Sequence, residues 1–237
     1  MRTATGECFS FRASPNARPG QPLVVFMHGD NGGSVADRTW AGLIERGDAL
    51  ATATGASFVV LVRPGYSGPG GRSSGSAKPE DDDYTAGNVR LVADAIAALK
   101  VRFRPSRTIV GGTSGGAAMS ALVVGRHPGV VDAAWLNACP CQVQPWRAWR
   151  EQSANRKRPW SSSLSPDENL AGIARGTRIA VVVGDKDQNT LSRFSEAYVA
   201  AAKARGVDAS LVLVPGAAHE STWRSPEAAA ALAALLR

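Results

Sequence analysis

Residues 108–116 read Thr108-Ile109-Val110-Gly111-Gly112-Thr113-Ser114-Gly115-Gly116. A short β-branched run ends in G-x-S-x-G, and an Ala-rich helical stretch from Gly115 to Arg126 follows it. This is the strand–turn–helix context in which a serine is lifted out of the backbone on a tight, strained turn. Glycines at the flanking positions let strand and helix approach closely. The helix start directs free N–H groups and the positive end of its dipole toward Ser114, which suits a developing oxyanion. Gly-rich turns of this kind also occur without chemistry, so the rest of the chain has to supply partners for Ser114.

Outward from this motif, short apolar runs alternate with longer helical ones. Leu23–Met27, Phe58–Val62, Val130–Leu136, Arg178–Val183 and Ala209–Val214 read as further strands. Val35–Thr54, Thr85–Val101, Leu191–Arg205 and Ser225–Leu236 carry helical spacing. An acidic run, Glu80–Asp83, precedes the second of these helices. Ser165-Pro166-Asp167-Glu168 reads as a capping box. Alternation of this kind predicts an α/β fold with a mainly parallel sheet, and places chemistry in the loops at the carboxyl ends of the strands.

Three such loops carry candidates. His28-Gly29-Asp30-Asn31-Gly32-Gly33 follows the first strand, and the backbone N–H of Asp30, or of its neighbour Asn31, is placed to share an oxyanion with that of Gly115. Gly184-Asp185-Lys186-Asp187 follows the strand at 178–183 and offers two acids, of which Asp187, further out, is preferred. His219 follows Pro215-Gly216-Ala217-Ala218. Elimination favours His219 as a general base: the chain has 3 His, of which His28 belongs to the first loop and His127 to a helix end.

Composition bounds the rest. With 237 residues, 44% of them hydrophobic, the chain predicts a single α/β domain with an ample core. The net charge of +7 is spread along the chain, no zinc-finger or RNA-binding signature occurs, and aromatics make up only 6%. No nucleic-acid partner is therefore expected. No run is long enough to span a bilayer, and no metal-ligand spacing or cofactor motif appears. The residues Met1–Gly6 have no apolar secretory stretch, which predicts a cytoplasmic protein unless a leader has been removed. Cys8, Cys139 and Cys141 allow one disulfide, between Cys8 and the Cys139-Pro140-Cys141 loop, or three unconnected thiols.

The elements HGDNGG (28–33), RPGYSG (63–68), GTSGG (112–116), GDKD (184–187) and PGAAH (215–219) together resemble the α/β-hydrolase superfamily over nearly the whole chain. The order Ser114, Asp187, His219 is the nucleophile–acid–base order of that superfamily. Its compact length is similar to the dienelactone-hydrolase-like and serine-peptidase-like esterases. The resemblance implies an eight-stranded sheet with its second strand antiparallel, here shortened at the N-terminal edge around Glu7–Arg12. It implies a serine esterase acting on a small-molecule ester through an acyl-enzyme, with a peptidase, an acyltransferase or a non-catalytic ligand-binding protein as alternatives. It further implies a cap near residues 137–165, where irregular sequence holds Trp146, Trp149 and Trp160 among Arg147, Arg150, Arg156, Lys157 and Arg158. Trp146, Trp160 and Tyr66 are the expected pocket residues.

Overall fold

The structure is a computed structural model that describes residues 1–78, 81–154 and 160–237. Glu80 and the expected cap residues Arg156, Lys157 and Arg158 lie outside them. The main sheet contains β1 (Phe11–Ala13), β2 (Leu23–Met27), β3 (Ser57–Leu61), β6 (Thr108–Thr113), β7 (Ala133–Asn137), β8 (Arg178–Gly184) and β9 (Asp208–Val214). A two-residue hairpin, β4 (Ser67–Gly68) and β5 (Gly71–Arg72), stands apart. The main sheet has the order β1-β3-β2-β6-β7-β8-β9. Only β1 runs antiparallel, pairing Phe11 with Leu61. The sheet thus has seven strands among the described residues, one fewer than the resemblance implies, because the N-terminal edge supplies a single three-residue strand.

Strand alternation explains how both faces are filled. Leu23, Val25 and Met27 join the core under α2 (Ala86–Phe103), α3 (Gly115–Arg126) and α5 (Ser192–Ala204). Val24 and Phe26 point the other way, into the core under α1 (Asp37–Thr54) and α6 (Pro226–Leu236). Successive side chains of a strand face opposite sides, so a strand apolar at every position needs helices on both faces. Caps fix the helix starts: Thr85 accepts from the Asn88 N–H, and Ser225, followed by Pro226, accepts from that of Ala228.

Three expectations change. The stretch read as irregular contains helix α4 (Val143–Ala154), whose Val143 and Trp146 are buried in the first core. Ser165 makes no capping box. Its hydroxyl accepts from the Val143 N–H and donates to Asp167, and Pro166–Gly172 forms a 3₁₀ turn. Cys139 and Cys141 pair with each other, whereas Cys8 is free and exposed. No described helix is long and apolar enough to cross a membrane.

Parallel register brings the working loops to one level. Met27 pairs with Gly112, Thr113 with Asn137 and Gly184 with Val214. The chain therefore leaves β2, β6, β7, β8 and β9 at one edge of the sheet, around a single cleft.

Candidate active site

Ser114 stands between β6 and α3 with φ 53° and ψ −123°. For a non-glycine residue this conformation costs roughly 1–3 kcal/mol and persists only where the surroundings impose it. Here they do. The Ser114 N–H donates to the Asn137 carbonyl at 2.9 Å, and the Asn137 side chain donates to that of Gly112 at 3.2 Å. A Cβ on Gly112 would lie 2.4 Å from the Gly116 carbonyl carbon, and one on Gly116 2.3 Å from the Met27 oxygen. Only glycine lets α3 start so close to β6 and β2.

His219 lies on the loop after β9. Its Nδ1 meets Asp187 Oδ2 at 2.8 Å, and Asp187 is 2% exposed. Asp187 also accepts from the Asn189 N–H, the Thr190 N–H and the Thr190 hydroxyl, each at 2.8 Å. Burial pushes the Asp187 carboxyl up, but the bond and charge of His219 and the Thr190 and Asn189 amides outweigh it and hold the group below its ordinary value. The competing acid, Asp185, instead accepts from the Gly216 N–H at 2.7 Å and ties the loops after β8 and β9 together. Thr190, which the sequence reading did not single out, touches Asp187, His219 Nδ1 (3.2 Å) and the Ala138 carbonyl (3.0 Å). It braces the pair against the strand end that supports Ser114. The Asp-x-x-Thr spacing from 187 to 190, with backbone donors between, was the available signal.

Ser114 and His219 both line one cleft of about 880 Å³, together with His28, Asp30, Trp146 and Trp160. Trp146 and Trp160 meet edge to face at 5.2 Å, and the Trp146 indole donates to the Asn189 carbonyl at 2.8 Å. Both expected tryptophans are thus at the cleft wall. Tyr66 is not: it is fully buried, and its hydroxyl donates to Asp81 at 2.8 Å. The Gly/Ser-rich loop that carries it folds its aromatic ring inward over the Arg63 guanidinium, 4.8 Å away.

Gly115 is the first residue of α3, so its N–H has no intrahelical acceptor. Asp30 lies against it, since a Cβ on Gly115 would come 2.0 Å from Asp30 Oδ1. A largely buried carboxylate at this position needs a counter-charge. Arg63, wholly buried, supplies it, pairing with Asp30 and with Asp83 at 2.6 Å each. Tyr84 adds a hydrogen bond to Asp30 Oδ2 at 2.7 Å. Burial works against the Arg63 charge, but Asp83, Tyr66 and Asp30 more than compensate and keep it protonated. Burial is also the main reason that the Asp83 carboxyl is pushed up.

His28 is structural. Its Nε2 accepts from the Arg63 N–H at 3.1 Å, which leaves Nδ1–H to donate to the Gly29 carbonyl at 2.8 Å. Burial, and then the charge of Arg63, lowers its pKa to about 3. The unfolded chain therefore binds this proton from near pH 6.5 downward while the folded chain does not, so this group removes stability as pH falls toward 3. His28→Gln, which keeps one acceptor and one donor, is expected to flatten the stability–pH curve by about 1.4 kcal/mol per pH unit in that window. Urea melts at pH 7, 6, 5 and 4 measure this, and parallel curves for the two proteins would refute it.

No cluster of ligands suited to a metal ion occurs among the described residues. The doubly covered parallel sheet, with a serine on a strained turn above it, defines an α/β hydrolase. The chain belongs to the prolyl oligopeptidase family, whose profile matches residues 49–236. It is a serine hydrolase of the peptidase–esterase type. Solved structures share the fold at low identity. Esterase PE8 is 19% identical with a TM-score of 0.66, over 97% of this chain and 98% of its own. The Pyrococcus furiosus esterase Pf2001 is 14% identical with a TM-score of 0.73, over 100% and 87%. The Porphyromonas gingivalis dipeptidyl peptidase 4 is 13% identical with a TM-score of 0.67, over 99% of this chain but 34% of that longer one. No curated protein matches the sequence.

Proposed function

We propose that the protein is a carboxylesterase that cleaves small-molecule esters through an acyl-enzyme, with Ser114 as nucleophile, His219 as general base and Asp187 as its acid partner. The observation that carries this reading is the 2.8 Å His219–Asp187 bond on a cleft that Ser114 also lines. His219 takes the Ser114 proton as the hydroxyl attacks the ester carbonyl, and Asp187 holds the ring in the tautomer with Nδ1 protonated and stabilises the imidazolium. The N–H groups of Gly115 and Asp30 receive the oxyanion, each contributing about 2.7–4 kcal/mol by analogy with known sites. His219 then protonates the departing alkoxide, and a water activated by the same ring releases the acid. Trp146 and Trp160 wall the acyl or alcohol group, with α4 acting as a short cap of the single domain.

A peptidase reading is favoured by the family and by the dipeptidyl peptidase neighbour. Two measurements separate the readings. One is hydrolysis of p-nitrophenyl esters of increasing acyl length beside aminoacyl p-nitroanilides. The other is fluorophosphonate labelling followed by intact mass and peptide mapping. The expected result is one label, on Ser114, with esters cleaved at least tenfold faster than the anilides. Faster anilide cleavage would make it a peptidase, and absence of label would make it a non-catalytic binding protein.

A further inference from the structure

Three arginines, Arg38, Arg46 and Arg224, converge beside the cleft, and none of them forms a salt bridge among the described residues. Arg38, Gly42 and Arg46 are spaced four apart on α1 and so share one face. Gly42 has no side chain, and the Arg224 guanidinium fills the gap, 2.6 Å from where a Cβ on Gly42 would stand. Arg224 is thus held between Arg38 one turn before and Arg46 one turn after, over the Trp223 ring at 4.8 Å. None of the three is within 4.0 Å of a carboxylate among the described residues. Arg46 is partly covered and donates to the Ser225 carbonyl. Burial, and then the charge of Arg224, lowers its pKa.

Arg38 and Arg224 line the same cleft as Ser114 and His219, and Arg147 and Arg150 of α4 line it too. Its acids are largely committed elsewhere. Asp30 is paired with Arg63, and Asp81 accepts from Tyr66 and from the Gly32 N–H, leaving Glu220. Gathering like charges on one helix face is unfavourable in itself. It becomes favourable when an anion joins them, and the guanidinium fork matches a carboxylate or phosphoryl group.

Resting on the esterase reading, we infer that Arg38 and Arg224 form an anion subsite of the cleft. The substrate then carries a carboxylate or phosphoryl group on the part that extends over α1 from the scissile bond.

The test compares kcat/KM for p-nitrophenyl pentanoate with that for mono-p-nitrophenyl glutarate and for the ester of a phosphonate-ended acid of equal length. The wild type, Arg38→Gln, Arg224→Gln and Arg224→Lys are measured in 20 mM and 1 M NaCl. The wild type is expected to prefer one anionic ester over the neutral one by about tenfold or more at low salt, and the preferred ester tells carboxylate from phosphoryl. Each Gln variant should lower that ratio about tenfold through KM, Lys should restore part of it, and high salt should erase it. A wild-type ratio of one or less, or a ratio unmoved in both Gln variants, overturns the inference while leaving the esterase reading intact. If all esters are inert, the esterase reading fails separately. The subsite is then judged by calorimetric titration of each protein with glutarate and propylphosphonate. Binding to the wild type that weakens in the Gln variants supports the subsite, and no binding overturns it.

Discussion

Ser114→Ala is expected to lower kcat for the best ester by about 10⁵–10⁶, to a residual rate supplied by the remaining cleft. The substitution removes one oxygen, and alanine tolerates the local backbone no better and no worse than serine, so melting temperature should stay within a few degrees. His219→Ala should cost about as much, because neither group acts without the other, and Ser114→Ala/His219→Ala should cost little more than either alone. Asp187→Asn should cost roughly 10⁴. The asparagine can present a donor to His219 Nδ1 and so favour the wrong tautomer, while Thr190 still braces the loop. Steady-state kinetics with circular dichroism on each purified variant decides the matter. Retention of even a tenth of the activity in Ser114→Ala would remove that residue as nucleophile.

The second large effect falls on stability. Arg63→Met keeps much of the side-chain volume but removes the charge between Asp30 and Asp83. Breaking a buried pair from one side typically costs about 3–5 kcal/mol, because the partner charge is left without compensation. For a chain of this size that is roughly 10 °C in melting temperature. The sign with pH follows from the acids left behind. Without Arg63 the folded pKa of Asp83, already raised by burial, rises further above its unfolded value, so the folded variant holds a proton that the unfolded chain releases. Its deficit should therefore be largest at pH 8 and shrink toward pH 5. Activity should fall as well, since Asp30 is clamped against Gly115 by Arg63 and Tyr84. Thermal melts at the two pH values test this, and an unchanged melting temperature would show the network to be dispensable.

How much of this was legible in the sequence depends on how local each signal is. The strand at 108–111 with its serine turn, the apolar strands at 23–27 and 178–183, and the alternation with helices are carried by neighbouring residues and are readable directly. So is the gathering of strand-end loops at one edge, since a parallel sheet imposes it. Asp185 and Asp187 differ by two positions on one loop, and only the backbone donors of Asn189 and Thr190 turn Asp187 toward His219. Tyr66 looked like a pocket residue because its loop follows a strand. Its actual place is set by Arg63, Asp81 and Asp83, which lie close only after folding. The network of residues 30, 63, 83 and 84 and the gathering of Arg38, Arg46 and Arg224 likewise depend on long-range contacts. The stretch before Pro166 looked irregular because Arg and polar residues interrupt its helical pattern, yet Trp146 and Val143 anchor it as α4.

The bridge between Cys139 and Cys141 encloses one residue, Pro140. A cross-link lowers the entropy of the denatured chain in proportion to the logarithm of the loop it closes, and here that loop is almost nothing. Its influence is therefore directional. It fixes the heading with which the polypeptide departs from Asn137, whose carbonyl seats Ser114, and from Ala138, whose carbonyl receives Thr190. The same few atoms aim α4 and its Trp146 at the cleft wall, so the bond works as a joint in the frame around Ser114 rather than as a strap around the molecule.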